Sequence, residues 1–182
     1  MPRQKSTKCT GISRILLMNE AQMAKIKMIR SGGQSGVDRA ALDAARNCKI
    51  TICGWCPKGG WAEDHPNPPG ILALYPELSE TPSARVEQRT VWNVRDADAT
   101  LIIDPTQPDA FPGTALTAKA AKSFGKPCLV VSTENSAQEI IDWLAGLDDG
   151  LILNIAGPRD SECEGVYAKA IQVLTEVFCA LK

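Results

Sequence analysis

Apolar residues in this chain gather in short runs, and between those runs they recur at helical spacing. The runs fall at about 26–30, 50–54, 99–104, 127–132 and 151–155. Segments of period near 3.6 follow over about 37–48, 83–97, 114–124, 136–146 and 165–181. The fourth of these opens with Ser136-x-x-Glu139, a capping-box pattern. Thr100-Leu-Ile-Ile, Cys128-Leu-Val-Val and Leu151-Ile-Leu are continuously apolar rather than alternating, as strands buried on both faces require. The pattern predicts an α/β fold: a Rossmann-like, doubly wound, mainly parallel five-stranded sheet flanked by helices.

Residues 55–82 break the alternation. They hold six of the twelve prolines and no periodic pattern, and a stretch of that length between elements is expected to be functional or disordered. In doubly wound folds a ligand sits beyond the carboxyl ends of the strands. The unusual segments of this chain fall there: a glycine loop after the first strand, the proline-rich stretch after the second, 104–113 after the third and 156–161 after the fifth.

The glycine loop is the strongest signal. Ser31-Gly32-Gly33-Gln34-Ser35-Gly36 leads from the first strand straight into a helix carrying Asp38 and Arg39. Its glycines allow close approach of a ligand to the backbone, and the helix N-terminus behind them favours an anion. Gln34 and Ser35 can donate to an oxyanion, whereas an acid at Asp38 also offsets the helix dipole. The spacing is neither the dinucleotide fingerprint nor a P-loop. On this reading Gly33→Asp should block the cradle without unfolding the chain.

Three further groups sit at the same edge. Gly113-Thr114 makes a second glycine turn before a helix, with Thr114 as a phosphate contact or a plain N-cap. Gly157-Pro158-Arg159 offers a guanidinium for bidentate contact or a surface ion pair. The proline-rich stretch carries Trp55, Lys58, Gly59 and Trp61, a point charge and indole faces suited to a lid over a planar heterocycle. Arg85, Arg89, Trp92 and Asp96 share one helical face, with Asn93 beside Arg89, and could line a ligand wall or a subunit contact.

Cys53-Gly-Trp-Cys56-Pro lacks the helix opening of a redox motif, and Cys48, Cys53, Cys56 and His65 make a poor zinc set. Seven cysteines without a framework pattern, and no export signal, predict reduced thiols and a cytoplasmic protein. No run approaches membrane-spanning length. Net charge is -1 over 182 residues, but residues 1–30 carry seven basic side chains against Glu20. The remainder is acidic, so nucleic acid is not an expected partner. Residues 1–25 are set apart as a basic extension, solvated or loosely ordered, with Met18, Met23 and Met28 as alternative starts; 26–182 is predicted to form one ligand-binding domain.

Several blocks in order carry a resemblance. They are Ser31-Gly-Gly-Gln-Ser-Gly-Val-Asp-Arg-Ala-Ala-Leu-Asp43, Gly54-Trp-Cys-Pro-Lys-Gly59, Glu80-Thr-Pro-Ser83, Trp92-Asn-Val-Arg-Asp96 with Arg89, Gly113-Thr-x-Leu-Thr117, Gly125-Lys-Pro-Cys128 and Asn154-x-Ala-Gly-Pro-Arg159. From about Lys27 onward the chain resembles the molybdenum cofactor carrier family, circularly permuted YpsA-like relatives of the LOG and other SLOG-type Rossmann domains. The resemblance implies an oligomeric Rossmann-like fold that binds molybdenum cofactor (molybdopterin) or another small anionic ligand, with molybdoenzymes as recipients. It implies phosphate at the glycine loops, Trp55 or Trp61 on the pterin face, and Lys58 or Arg159 for charge. Pro112 stands where the family tends to have glycine, and Gly60-Trp61 where a basic residue is usual.

No chemistry is expected of the chain itself. The alternatives are a non-catalytic sensor of NAD- or ADP-ribose-like nucleotides, or a LOG-type phosphoribohydrolase of nucleoside monophosphates. The LOG enzymes carry a glutamate after Gly-Thr that is needed for the glycosidic cleavage; Ala115, Leu116, Thr117, Ala118 and Lys119 supply none.

Overall fold

The computed structural model describes residues 25–106, 111–134 and 136–181. All but Lys25 of the predicted N-terminal extension, with the alternative starts Met18 and Met23, lies outside the described residues, whereas Met28 falls within them. Five parallel strands form the main sheet: β1 (Ile26–Arg30), β2 (Thr51–Cys53), β5 (Ala99–Ile103), β6 (Cys128–Val131) and β7 (Leu151–Ala156). The helices are α1 (Val37–Asn47), α2 (Val86–Arg95), α3 (Pro112–Ser123), α4 (Ala137–Ala145) and α5 (Val166–Ala180).

Strand order is β2-β1-β7-β5-β6, so the last strand lies at the centre. Ile29 stands opposite Ile52 on one side and Leu153 on the other. Counting from β7, the order reads 3-2-1-4-5, a mononucleotide-binding order whose direction reverses between β7 and β5. α1 and α4 each pack against α5, and α2 packs with α3. The larger core lies among the first group and the sheet, around Leu42, Ile140, Leu144, Leu174 and Phe178. Between α2 and α3 the buried apolar cluster is small, Val94 with Ala120 and Ala121, because α3 is built of small residues.

The proline-rich stretch differs from expectation. It contains a second, two-stranded parallel sheet, β3 (Trp55–Cys56) with β4 (Ser79–Glu80), and one 3-10 turn at Gly70–Ala73. Cys56, Ala62, Ile71, Tyr75 and Leu78 anchor it to the main core. Two-residue strands carry too little pattern to be seen in sequence; their pairing is set by distant contacts.

Helix starts differ as well. α2 begins at Val86, because Ser83 is tied to the Gln88 side chain and its hydroxyl accepts from Arg85 N–H. α3 begins two residues before the predicted Thr114, with Pro112 in its first turn, where a missing N–H costs nothing. The Ser136 capping box does not form, and its hydroxyl caps no N–H.

Candidate functional site

A cleft of about 220 Å³ lies at the reversal of strand order. Its walls come from Gln34 and Asp38 after β1, from α2 (Val86, Glu87, Arg89, Thr90), from the first two turns of α3 (Pro112, Gly113, Thr114, Leu116, Thr117) and from Ala156, Gly157, Arg159 and Glu162 at and after the end of β7.

The α3 turn is the least satisfied part. Its first intrahelical bond runs from Ala115 N–H to the Phe111 carbonyl at 2.9 Å, which leaves the Gly113 and Thr114 amides without an intrahelical acceptor. Thr114 is 2% exposed, yet its hydroxyl has no hydrogen-bond partner among the described residues. The neighbouring hydroxyls are accounted for: Thr117 donates to the Gly113 carbonyl and Thr90 to the Val86 carbonyl, each at 3.0 Å. Thr114 is therefore no N-cap, since it sits inside the helix and Phe111 holds the cap position.

Arg89 reaches in from α2 and pairs with Asp38 at 2.8 Å, with its Nε left unpartnered. Burial pushes the Asp38 carboxyl up, against the opposing pull of Arg89. Arg159 stands 3.5 Å from Glu162 and 3.8 Å from Glu63. Both guanidiniums of the wall are thus matched by acids.

Of the candidate residues singled out in the sequence, the cleft gathers Gln34, Asp38, Arg89, Gly113, Thr114, Gly157 and Arg159. Lys58 and Gly59 line a shallow neighbouring groove with Trp61, and this groove shares Val86 and Glu87 with the cleft. The others serve the scaffold. A Cβ on Gly32 would collide with Arg89, and one on Gly33 would meet Ile71 and Leu78. Gly33 therefore faces core, and Gly33→Asp would disrupt packing rather than probe a cradle. Gly36 has φ +75° and lies against the Pro158 carbonyl, which also accepts from Val37 N–H. Arg39 pairs with Asp64 at 3.0 Å and donates to the Gly33 carbonyl. Ser35 donates to Glu63.

Trp55 and Asn93 lie outside both cavities. The Trp55 indole donates to Asp96 at 2.7 Å and meets Trp92 edge-on, while Asn93 holds the Trp55 main chain at both N–H and carbonyl. Cys56 is buried with its thiol on the Ser79 carbonyl, and burial pushes it up to about 11, with Glu80 adding to the rise. Such a thiol is a packing group. Among the described residues no three His, Cys, Asp or Glu side chains converge as a metal site, and no helix is long and apolar enough to cross a membrane. Sequence reading missed Glu87, Thr90, Thr117 and Glu162, whose inward direction follows from helix phase and packing that no motif encodes.

The model of the circularly permuted YpsA SLOG family matches residues 29–178. The chain belongs to that family. A solved structure from Syntrophus aciditrophicus SB, described as a "Putative molybdenum carrier protein", is 38% identical, with a TM-score of 0.75, and the match covers 85% of this chain and 96% of the other. No curated protein matches. Within the family's Rossmann-like fold the cleft at the β7–β5 reversal has the position that doubly wound sheets give to ligands.

Proposed function

We propose that the protein binds a heterocyclic ligand bearing one phosphate, of the molybdenum cofactor type, and carries or stores it. The observation that carries this reading is the first turn of α3, where two amides without intrahelical acceptors and the orphaned Thr114 hydroxyl face the switch point. The groove beside it supports the second half of the ligand, for Trp61 offers a ring face and Lys58 a charge, across the shared Val86 and Glu87. The residues present fit a phosphate and a planar ring. Bound cofactor would bring its own metal dithiolene, and no thiol lines the cleft. The glycine loop then acts as scaffold rather than as the cradle itself: its Gln34 side-chain oxygen Oε1 accepts from the Ser35 and Glu63 amides, and the Val37 amide behind it is taken by the Pro158 carbonyl. A cytoplasmic homo-oligomer delivering its ligand to molybdoenzymes completes the proposal.

A nucleotide sensor would use the same two features, so the ligand must be read directly. The hydrolase alternative is disfavoured because the second turn of α3 supplies Leu116 and Thr117 to the cleft and no carboxylate.

The test is native mass spectrometry of anaerobically purified protein with metal analysis of the same sample. Molybdenum with a pterin-phosphate mass supports carriage, and a nucleotide mass without metal transfers the reading to a sensor. Gly113→Asp is the site control. A Cβ there meets nothing within 4 Å among the described residues, so the variant should fold and lose the ligand through charge repulsion. A folded Gly113→Asp protein that retains the ligand would refute the α3 site.

A further inference from the structure

Glu63, on the proline-rich stretch, stands where three loops meet. Its carboxylate accepts from the Ser35 hydroxyl, from the Ser161 hydroxyl at 2.5 Å and from the Ser161 N–H at 3.4 Å, with the Arg159 guanidinium 3.8 Å away. Its own N–H donates to Gln34 Oε1 at 2.8 Å. Hydroxyls, an amide and a guanidinium converging on a carboxylate are equally donors for a phosphate oxygen. Gln34 and Arg159 also belong to the cleft wall, so the nest and the cleft are neighbours.

Charge gives a second, independent observation. The cleft wall carries Asp38, Glu87 and Glu162 against Arg89 and Arg159. Each arginine already faces an acid. Such a wall suits one oxyanion held by helix amides and opposes a second.

We infer that the Ser35–Ser161–Arg159 nest is a second oxyanion subsite filled from within by Glu63, which restricts the cleft to ligands carrying a single phosphate and excludes diphosphates. The inference rests on the reading of the α3 turn as a phosphate site. With Glu63 in place, a second phosphate approaching the nest meets a carboxylate. With Glu63 removed, it meets two hydroxyls, an amide and a guanidinium.

The probes are inorganic phosphate and pyrophosphate, titrated calorimetrically into the full chain, into Glu63→Ala and into Glu63→Gln. Wild type should bind phosphate and take pyrophosphate no more tightly. Glu63→Ala should bind pyrophosphate at least tenfold tighter than wild type does, with phosphate affinity changed less than threefold. Glu63→Gln, which keeps the shape and loses the charge, should gain at least threefold for pyrophosphate; it carries the test if the alanine variant does not fold. A purely structural Glu63 would weaken both anions together. Phosphate binding without a selective pyrophosphate gain overturns this inference alone. Absence of phosphate binding in all three proteins overturns the α3 reading and the inference with it.

Discussion

Thr114→Val separates a structural hydroxyl from a binding one. The Thr114 oxygen is buried in α3 and, among the described residues, donates to nothing and accepts from nothing. An unsatisfied buried hydroxyl costs about 1–3 kcal/mol, and valine keeps the side-chain shape while removing it. The ligand-free variant should therefore be more stable by about 1 kcal/mol, raising Tm by roughly 2–4 °C in a chain of this size. Binding should move the opposite way. A hydrogen bond to a charged group contributes about 1.5–3 kcal/mol, so phosphate affinity should fall roughly 10- to 100-fold. Thermal unfolding without ligand and calorimetric titration with phosphate measure the two effects on one sample. Thr114→Ser keeps the hydroxyl and should bind as wild type. A valine variant that is less stable would mean that the oxygen has a structural role. Unchanged phosphate affinity would mean that the hydroxyl does not meet the anion.

The scaffold makes its own predictions. Gly36→Ala places a Cβ 2.3 Å from the Pro158 carbonyl at φ +75°, and should cost at least about 1–3 kcal/mol in urea unfolding. Tyr75→Phe removes a hydroxyl from Asp43, which also accepts from Tyr167 at 2.9 Å; stability should drop by about 1.5–3 kcal/mol while phosphate binding stays unchanged. Acid should unfold the protein through three carboxylates held below their ordinary values. Asp96 is lowered mainly by the Arg95 hydrogen bond. For Glu63 and Asp64, burial pulls upward but is outweighed, by Ser161 and Ser35 for the first and by Arg39 and His65 for the second. Because the folded values lie below the unfolded ones, their stabilisation is present above the ordinary 4.5 for Glu and 3.8 for Asp and is lost as pH falls through the folded values. Tm measured from pH 7 to pH 3 should decline below about 4.5, and less steeply in Asp96→Asn.

The chain's own pattern determined the architecture. Continuous apolar runs such as Leu101–Ile103 are buried on both faces and the intervening helical periods supply the covers, so the parallel sheet is legible from the pattern alone. Cys128–Val131 reads the same way but forms an edge strand with Cys128 and Val130 exposed, because the strand order that puts it there is not local. Glycine turns likewise announced the ligand edge, because each loop after a strand must change direction there. What only tertiary structure decided is which groups remain free once the chain has closed on itself. β7 enters the middle of the sheet, and its loop takes the Val37 amide at the head of α1, satisfying part of the most conspicuous motif internally. Trp55 spends its indole N–H on Asp96, and Ser35 is taken by Glu63, a residue with no local pattern to mark it. Thr114 keeps its donor only because α3 starts two residues early and carries it past the cap. Hydrophobic period is a local property of the sequence and survives reading in one dimension. Hydrogen-bond satisfaction is a property of pairs brought together from distant loops, and it is this that selects the site.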